Sequence, residues 1–282
     1  TVLVARTDAD AAGLLTSDGP TWRAHRRVIQ PAFHPSTLPA VAAHTTAAAD
    51  RMAARLRAAG DGGVVDVDAL VMGLALEVVG DALFGHALAG TADRLARATL
   101  TALGEVVALA RMPVQAPRWV PTPGNRRMAG ALAELDSAVA AIVASGGPGT
   151  GSLVDLLLAA PDLDDRAVRD EVVTFLVAGH ETVASALTWA FVLLGEHPAV
   201  ADRVAAEAHA MLPARTAGDV AMADLARLRL ARAVLDESMR LNPPAWLITR
   251  RTTAAMELAG RHVPAGSLVI VSPWIVHRHP SA

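Results

Sequence analysis

An acidic residue and a hydroxyl residue stand side by side inside a long apolar stretch, at Glu181 and Thr182. A carboxylate buried in such a stretch is costly unless it has a partner or a function. Thr182 can bond back to the carbonyl of Ala178, four residues earlier, which we expect to bend or widen the helix locally. Gly179 leaves a gap where a small molecule could sit. These residue types favour proton transfer beside a small bound molecule, and a kinked helix with a capped threonine is the alternative.

Two hydrogen-bond donors, Trp22 and Arg26, stand four residues apart near the start of the chain. This spacing puts both side chains on one face of a helix. An indole N–H and a guanidinium fork that point the same way favour an anionic ligand such as a carboxylate. The alternative is a cationic helix face in solvent.

A third pair, Glu237 and Arg240, has the three-residue spacing that allows a bidentate ion pair on one helix face. Such pairs are common on protein surfaces, and alone this one indicates little. Its context is more informative, because Asn242-Pro243-Pro244 follows directly and Arg250 lies ten residues past Arg240 in a strand-like run.

Helices are predicted to position most of these residues. Proline, glycine and N-cap signals predict helices over 20–30, 35–59, from Asp66 or Asp68 onwards, 91–110, 123–144, 152–160, 164–196, 199–212 and 225–241. The longest of these carries Glu181 and Thr182. The glycine-rich run 146–151 predicts a flexible connector. After Pro244, short β-prone runs at 246–253, 256–258 and 267–272 predict a small sheet near the C-terminal end.

Composition excludes several classes of protein. The 282 residues carry a net charge of −3 without a basic run, which excludes a nucleic-acid surface. The chain has no cysteine, which excludes disulfides and thiolate metal sites within it. It opens with no secretory signal, and its apolar stretch Val183–Gly195 is too short to span a bilayer. We expect a cytoplasmic protein without a membrane span.

The sequence lacks residues that three other enzyme motifs require. A His-Glu-x-x-His zinc site beginning at His180 would need a second histidine where Ala184 stands. The glycines that precede Ser152 have phosphate-loop spacing, but Ser152 stands where the lysine must be, and no Gly-x-Ser-x-Gly elbow is present.

The three motifs, in this order and spacing, resemble the cytochrome P450 family. The segment from Trp22 through Pro31-Ala32-Phe33-His34 resembles its helix C, and Ala178-Gly179-His180-Glu181-Thr182 resembles its oxygen-binding helix I. Its helix K is resembled by Glu237-Ser238-Met239-Arg240. The stretch before its haem loop is resembled by Pro264-Ala265-Gly266 with His277-Arg278-His279-Pro280. The resemblance runs from about Pro20 to the end of the chain.

This resemblance implies a mainly α-helical fold in which residues 1–282 form a single, incomplete domain. The implied cofactor is haem b (iron protoporphyrin IX). The implied reaction hydroxylates or epoxidises an apolar small molecule with O₂ and with electrons from NAD(P)H, delivered by a ferredoxin or flavoprotein partner. In this family the haem carries the oxidation, and the protein supplies protons, positioning and the axial ligand.

The resemblance also implies a role for each matching residue. Glu181 and Thr182 would be catalytic, because Thr182 would hold the activated dioxygen and Glu181 would relay protons to it from solvent. Donors to the haem propionates would be Trp22, Arg26 and Arg250, and Ala178 with Gly179 would leave room for dioxygen. Glu237 and Arg240 would form a buried structural pair, and the substrate pocket would be lined by Val177, Ala178, Ala245, Trp246 and Leu247.

One departure from the family pattern is serious. The family's iron is held by a cysteine thiolate in a glycine-rich loop near the C-terminus, and this chain contains no cysteine. The family's N-terminal sheet and first helices also have no counterpart here. Two interpretations stay open: a partial sequence of a monooxygenase, or a truncated, non-catalytic helical binding scaffold.

Overall fold

The structure is a computed structural model that describes residues 13–15, 17–60, 62–85, 92–110, 116–117, 119–145, 152–212, 220 and 222–280. The predicted connector at 146–151 lies outside these residues. The chain divides into two compact units, one comprising residues 1–181 with 214–223 and the other comprising 182–213 with 224–282. Each unit is described here by itself.

The first unit is built from helices. They are α1 (Gly19–Ile29), α2 (Leu38–Ala58), α3 (Val67–Phe84), α4 (Ala92–Ala110), α5 (Pro123–Ser145), α6 (Leu153–Leu158), the first part of α7 (Asp165–Glu196), and the start of α9 (Met222–Leu225). Two short 3₁₀ helices, Gln30–Phe33 and Pro35–Thr37, join α1 to α2. Helix α1 ends at Ile29, close to the stop predicted at Pro31, and the chain continues as the 3₁₀ helix Gln30–Phe33.

Local signals explain where these helices begin and end. The Asp66 carboxylate accepts a hydrogen bond of 3.0 Å from the Ala69 N–H and so caps α3, which decides between the two predicted caps. Gly85 ends α3 in the left-handed region, at φ +62°, which a glycine adopts without steric cost. Ser152 caps α6 in the same way as Asp66 caps α3, by accepting from the Asp155 N–H.

The core of the first unit forms where α3, α4, α5, α6 and the first half of α7 pack together. Its fully buried side chains are aliphatic: Leu76, Leu95, Leu135, Ile142, Leu153, Leu157 and Leu176. A ring contact of 5.5 Å between the centroids of Phe33 and Phe175 adds an aromatic edge. Burial of these side chains is the main favourable contribution to the stability of the unit.

The second unit contains the rest of α7, α8 (Pro198–Met211), α10 (Arg229–Leu241), α11 (Pro273–Val276) and four strands. Strands β1 (Ile248–Arg251) and β4 (Leu268–Val271) pair antiparallel, with Ile248 opposite Val271. Strands β2 (Met256–Leu258) and β3 (Arg261–Val263) form a separate hairpin, with Met256 opposite Val263. The small C-terminal β structure is therefore two two-stranded sheets, and β3 and α11 were not predicted from the sequence.

Helix α7 is long and apolar enough, by length and composition alone, to cross a membrane, with a mean hydropathy of 1.3 in its most apolar window. Buried core helices meet the same criterion. In the first unit, Asp170, Glu171 and His180 of α7 are buried. Of the residues in its most apolar window, 22% are buried.

Candidate functional site

Glu181 lies near the middle of α7 with its carboxyl group partly buried. Burial, together with the negative charge of Asp68 at the start of α3, raises the pKa of Glu181 above its ordinary value. A carboxyl group with a raised pKa keeps its proton closer to neutral pH, which suits a group that accepts and delivers protons. The sequence identified Glu181 but gave no sign that Asp68 would influence it.

Thr182 follows Glu181 on α7, and its side chain is exposed, whereas Ala178 is partly buried. The helix keeps α-helical geometry from Asp165 to Glu196. The local widening expected at Thr182 is therefore wrong. A single Ser or Thr that bonds back within a helix does not require a wider turn, because the preceding carbonyl can accept two hydrogen bonds.

The gap predicted at Gly179 is occupied by a neighbouring helix. A Cβ atom added to Gly179 would lie 3.0 Å from Cγ2 of Val79 on α3. The missing side chain lets α3 and α7 approach closely, so the space on this side of Gly179 holds the Val79 isopropyl group. The expectation that Gly179 leaves room for a small molecule at its Cβ position is corrected accordingly.

Trp22 and Arg26 share one face of α1, as their spacing predicted. The Arg26 guanidinium carbon lies 5.2 Å from the centroid of the Trp22 ring, within the range of a cation–π contact. Arg26 is exposed and Trp22 is partly buried. Arg26 therefore presents its cationic end to solvent, held in place by the indole, where an anionic group could accept its N–H donors.

Between these two residues, His25 is buried and makes a contact that the sequence did not predict. Its Nδ1 lies 2.7 Å from Oε1 of Glu171 on α7, and the exposed fractions of the two side chains are 8% and 0%. Burial raises the pKa of Glu171, and the hydrogen bond from His25 partly offsets this rise. The two residues are 146 apart in sequence, so no local pattern could pair them.

His180, one position before Glu181, is a buried residue of the first unit. Its Nδ1–H donates to the carbonyl of Leu176, and burial lowers its pKa, which keeps the imidazole neutral at neutral pH. Its Nε2 has no hydrogen-bond partner among the described residues. Within the described part of the chain no group of three or more His, Cys, Asp or Glu side chains is placed to hold a metal ion.

Glu237 and Arg240 form the predicted ion pair on α10, with Nε to Oε2 and Nη2 to Oε1 distances both 2.7 Å. The prediction that this pair is buried is wrong for this structure, since the exposed fractions of the two side chains are 55% and 44%. Helix α10 buries little beyond Ser238, and the described residues place no element over the pair. Arg240 Nη1 also donates to the carbonyl of His277, which ties α10 to the segment after α11.

The predicted propionate donor Arg250 and the predicted pocket residues are mostly exposed. In the second unit, Arg250 lies on β1 and donates to the carbonyl of Thr249, and Ala245, Trp246 and Leu247 precede this strand. In the first unit, Val177 packs against the aliphatic core. A shared pocket lined by these residues stays a prediction.

The residues present fit part of the haem implied by the resemblance. Arg26, exposed above the Trp22 ring, is suited to the carboxylate periphery of the group, and Glu181 is suited to proton transfer. An axial thiolate is not among the 282 residues, since none is cysteine. Arg26 and Glu181 thus have the chemistry that a propionate donor and a proton-transfer group would need, while the 282 residues include no thiolate for an iron.

A long central helix with an acid–threonine pair, preceded by a cationic helix and followed by a Glu-x-x-Arg helix, defines the helical class of haem monooxygenases. The model of the family described as Cytochrome P450 matches residues 3–282. The chain is 38% identical to Cyclooctat-9-en-7-ol 5-monooxygenase from Streptomyces melanosporofaciens and 32% identical to Pentalenene oxygenase from Streptomyces avermitilis, over 95% and 98% of its own length. The chain belongs to the cytochrome P450 family.

The same comparisons define how much of a relative this chain corresponds to. It spans 59% of the first relative and 62% of the second. The crystal structure of the cytochrome P450DA heme domain superposes with a TM-score of 0.80 at 24% identity, covering 96% of this chain and 61% of that one. The predicted mainly helical P450 fold with small C-terminal β structure is thereby confirmed.

Proposed function

We propose that this chain provides the distal and propionate-binding parts of a haem b monooxygenase. The haem, when bound, supplies the oxidation of an apolar small molecule by O₂. Electrons would come from NAD(P)H through a ferredoxin or flavoprotein, in the cytoplasm and without a membrane span. The observation that carries the proposal is Glu181, a partly buried carboxyl with a raised pKa directly before Thr182 on α7.

Each described residue has a proposed task. Glu181 would take protons from solvent and pass them towards Thr182, a task favoured by the burial and the Asp68 charge that raise its pKa above the ordinary value. The Thr182 hydroxyl would be the hydrogen-bond donor on the oxygen side of the haem. Trp22 and Arg26 on α1 would hold one haem propionate, and Arg250 on β1 would hold the other.

The substrate class is supported by the relatives rather than by the pocket. Two of them are a cyclooctat-9-en-7-ol 5-monooxygenase and a pentalenene oxygenase. These names describe unsaturated, largely hydrocarbon compounds. We therefore propose a cyclic, unsaturated hydrocarbon or its simple alcohol as substrate, with Val177, Ala178, Ala245, Trp246 and Leu247 as the apolar wall.

The second candidate, a non-catalytic helical binding scaffold, is favoured by one observation: no residue of the chain is a cysteine. Sequencing the coding region downstream of the Ala282 codon separates the two candidates. An open frame that continues into a glycine-rich loop with a cysteine supports the monooxygenase. A stop codon directly after Ala282 supports the scaffold.

A spectrum completes the test. The product of the verified reading frame, loaded with haem and reduced under carbon monoxide, should give the thiolate-type shift of the Soret band. A haem-loaded protein without that shift would contradict the monooxygenase proposal. The 282-residue chain alone, which has no thiolate, serves as the control and should not give that band.

A further inference from the structure

The strongest feature outside the proposed haem site is a cleft along one side of the helix pair α4 and α5. Its volume is about 510 Å³, within the range of pockets that hold small molecules. The two helices run antiparallel, because Arg94 pairs with Glu134 while the later Glu105 pairs with the earlier Arg127. Neither the motifs found in the sequence nor the proposed function uses any of these residues.

The two helices contribute to the cleft with the same spacing. Residues 94, 97, 98 and 101 of α4 face residues 127, 130, 131 and 134 of α5. This is the i, i+3, i+4, i+7 spacing of one helix face. The central positions are small, with Ala98 opposing Gly130 and Ala131, so the cleft has an apolar floor.

An ion pair lies at each end of the cleft. At one end Nη2 of Arg94 lies 2.6 Å from Oε2 of Glu134. At the other end Nε of Arg127 lies 2.5 Å from Oε1 of Glu105. These pairs satisfy two of the three guanidinium groups that line the cleft.

The third guanidinium, that of Arg97, has no ion-pair partner among the described residues. Three guanidinium groups against two carboxylates leave one surplus positive charge, and Arg97 carries it beside the small residues at the centre. A cationic fork next to an apolar floor is complementary to a molecule with one acid group and an apolar body.

We propose that this cleft binds an amphipathic carboxylic acid, distinct from the monooxygenase substrate. Its carboxylate pairs with Arg97, and its apolar body lies on Ala98, Gly130 and Ala131. A groove of about 510 Å³ is of a size that holds a small molecule. The site goes beyond the proposed function, since it uses no residue assigned to the haem.

The test is calorimetric titration of the 282-residue chain with decanoate. We expect saturable binding that weakens as ionic strength rises, because an exposed guanidinium–carboxylate contact is screened by salt. Arg97→Gln should weaken binding about fivefold, in line with an exposed ion pair. Arg203→Gln, which removes an exposed arginine from α8, is the matched control and should leave the dissociation constant unchanged.

A second variant tests the floor without changing the charge. A Cβ at Gly130 would meet no atom within 4 Å, so Gly130→Leu fills the cleft without straining the helix. We expect it to weaken decanoate binding about tenfold or more, through loss of the apolar contact area. Gly195→Leu on α7 is its control, since Gly195 also faces open space.

Three results would overturn the proposal. One is equal decanoate affinity in Arg97→Gln and the unsubstituted chain, and another is equal binding of decan-1-ol, which has no acid group. The third is binding to phosphatidylglycerol vesicles without binding to monomeric decanoate, which would indicate a lipid surface instead. Because none of these readouts needs haem or turnover, failure here is distinguishable from failure of the proposed function.

Discussion

At the scale of single residues, the two halves of the acid–threonine motif have different surroundings. Glu181 is partly buried and holds its proton more tightly than an exposed glutamate, whereas Thr182 is exposed on the same helix. The proposed function gives the exposed Thr182 and the partly buried Glu181 successive tasks in proton transfer.

The proposed roles of Glu181 and Thr182 predict the effect of Thr182→Ala in the haem-loaded enzyme. Losing the hydroxyl should uncouple the reaction, so NAD(P)H is consumed and peroxide is released while product per NAD(P)H falls several-fold. The measurement is the ratio of product and peroxide to NAD(P)H consumed. Ser185→Ala on the same helix is the control, and unchanged coupling in Thr182→Ala would contradict the role given to Thr182.

The buried pair of His25 and Glu171 predicts a stability effect that no haem chemistry is needed to observe. Removing the imidazole by His25→Ala leaves the Glu171 carboxyl buried without its side-chain partner. We expect the free energy of unfolding to fall by about 3 kcal/mol, as for other broken buried pairs. Urea denaturation measures it, and His197→Ala, which alters an exposed histidine, should change little. Equal stability of the two variants would refute the assignment.

The same pair predicts a pH dependence. Burial raises the pKa of Glu171 in the folded chain. The hydrogen bond with His25 lowers this pKa in part, and the negative charge of Asp170 raises it by a smaller amount. The folded state therefore binds the Glu171 proton more tightly than the unfolded state, which stabilises the fold at low pH. This contribution to the free energy of unfolding is complete below the ordinary pKa of 4.5 and is lost as pH rises through the folded-state pKa. Glu171→Gln, which stays neutral, should lose less stability over that range. Parallel pH profiles of the two proteins would contradict this.

The residue scale also shows where sequence reasoning succeeds and fails. Contacts within one helix, such as Trp22 with Arg26 and Glu237 with Arg240, follow from spacing and were predicted. Whether such a pair is buried depends on what else packs over it, and that prediction was wrong for Glu237 and Arg240. The pair of His25 and Glu171 joins two helices through a contact with no local signature, so it required the structure.

At the scale of elements, the approach of α3 to α7 depends on one missing side chain. A Cβ built on Gly179 would lie only 3.0 Å from Cγ2 of Val79, so the Val79 side chain fills the space beside this glycine. Gly179 therefore acts as a packing residue between two helices. The order and length of the helices were predictable from the proline, glycine and N-cap residues that end or begin them. The close contact between α3 and α7 was not predictable, because it depends on how two segments distant in sequence cross.

This contact predicts opposite signs for two glycine substitutions in one helix. Gly179→Ala should destabilise the chain by about 1 kcal/mol, since overpacking against Val79 outweighs the helix propensity gained. Gly195→Ala, which meets open space, should stabilise it by about 0.5–1 kcal/mol. Thermal unfolding gives both values. Val79→Ala combined with Gly179→Ala should recover part of the loss, and additive effects in that double variant would argue against the contact.

At the scale of the whole molecule, the two units differ in how much they bury. The first unit has a continuous aliphatic core of leucine, isoleucine and valine side chains. Among the described residues of the second unit, the buried side chains are small or polar: Ala184, Ala190, Asp224 and Ser238. Strands β1 to β4 are mostly exposed, including Leu268 and Ile270. Burial of apolar area contributes most to local stability, so the second unit is the less stable one.

Hydrogen exchange tests this difference directly. Amides of α5 and the first half of α7 should exchange only on global unfolding, whereas amides of β1 to β4 should exchange through local opening, orders of magnitude faster. Mass spectrometry of peptides from 135–143 and from 248–271 gives the comparison. Equal protection of the two sets would mean that the strands gain stability from interactions other than buried apolar area.

The open space at Gly130 has a practical consequence. Gly130→Cys would place a thiol where a Cβ meets no atom within 4 Å, in a chain that has no other cysteine. A nitroxide label attached to it would occupy the α4–α5 cleft alone. Its electron paramagnetic resonance line shape would then report competition for the cleft, since a decanoate molecule that displaces the label frees the probe to tumble faster.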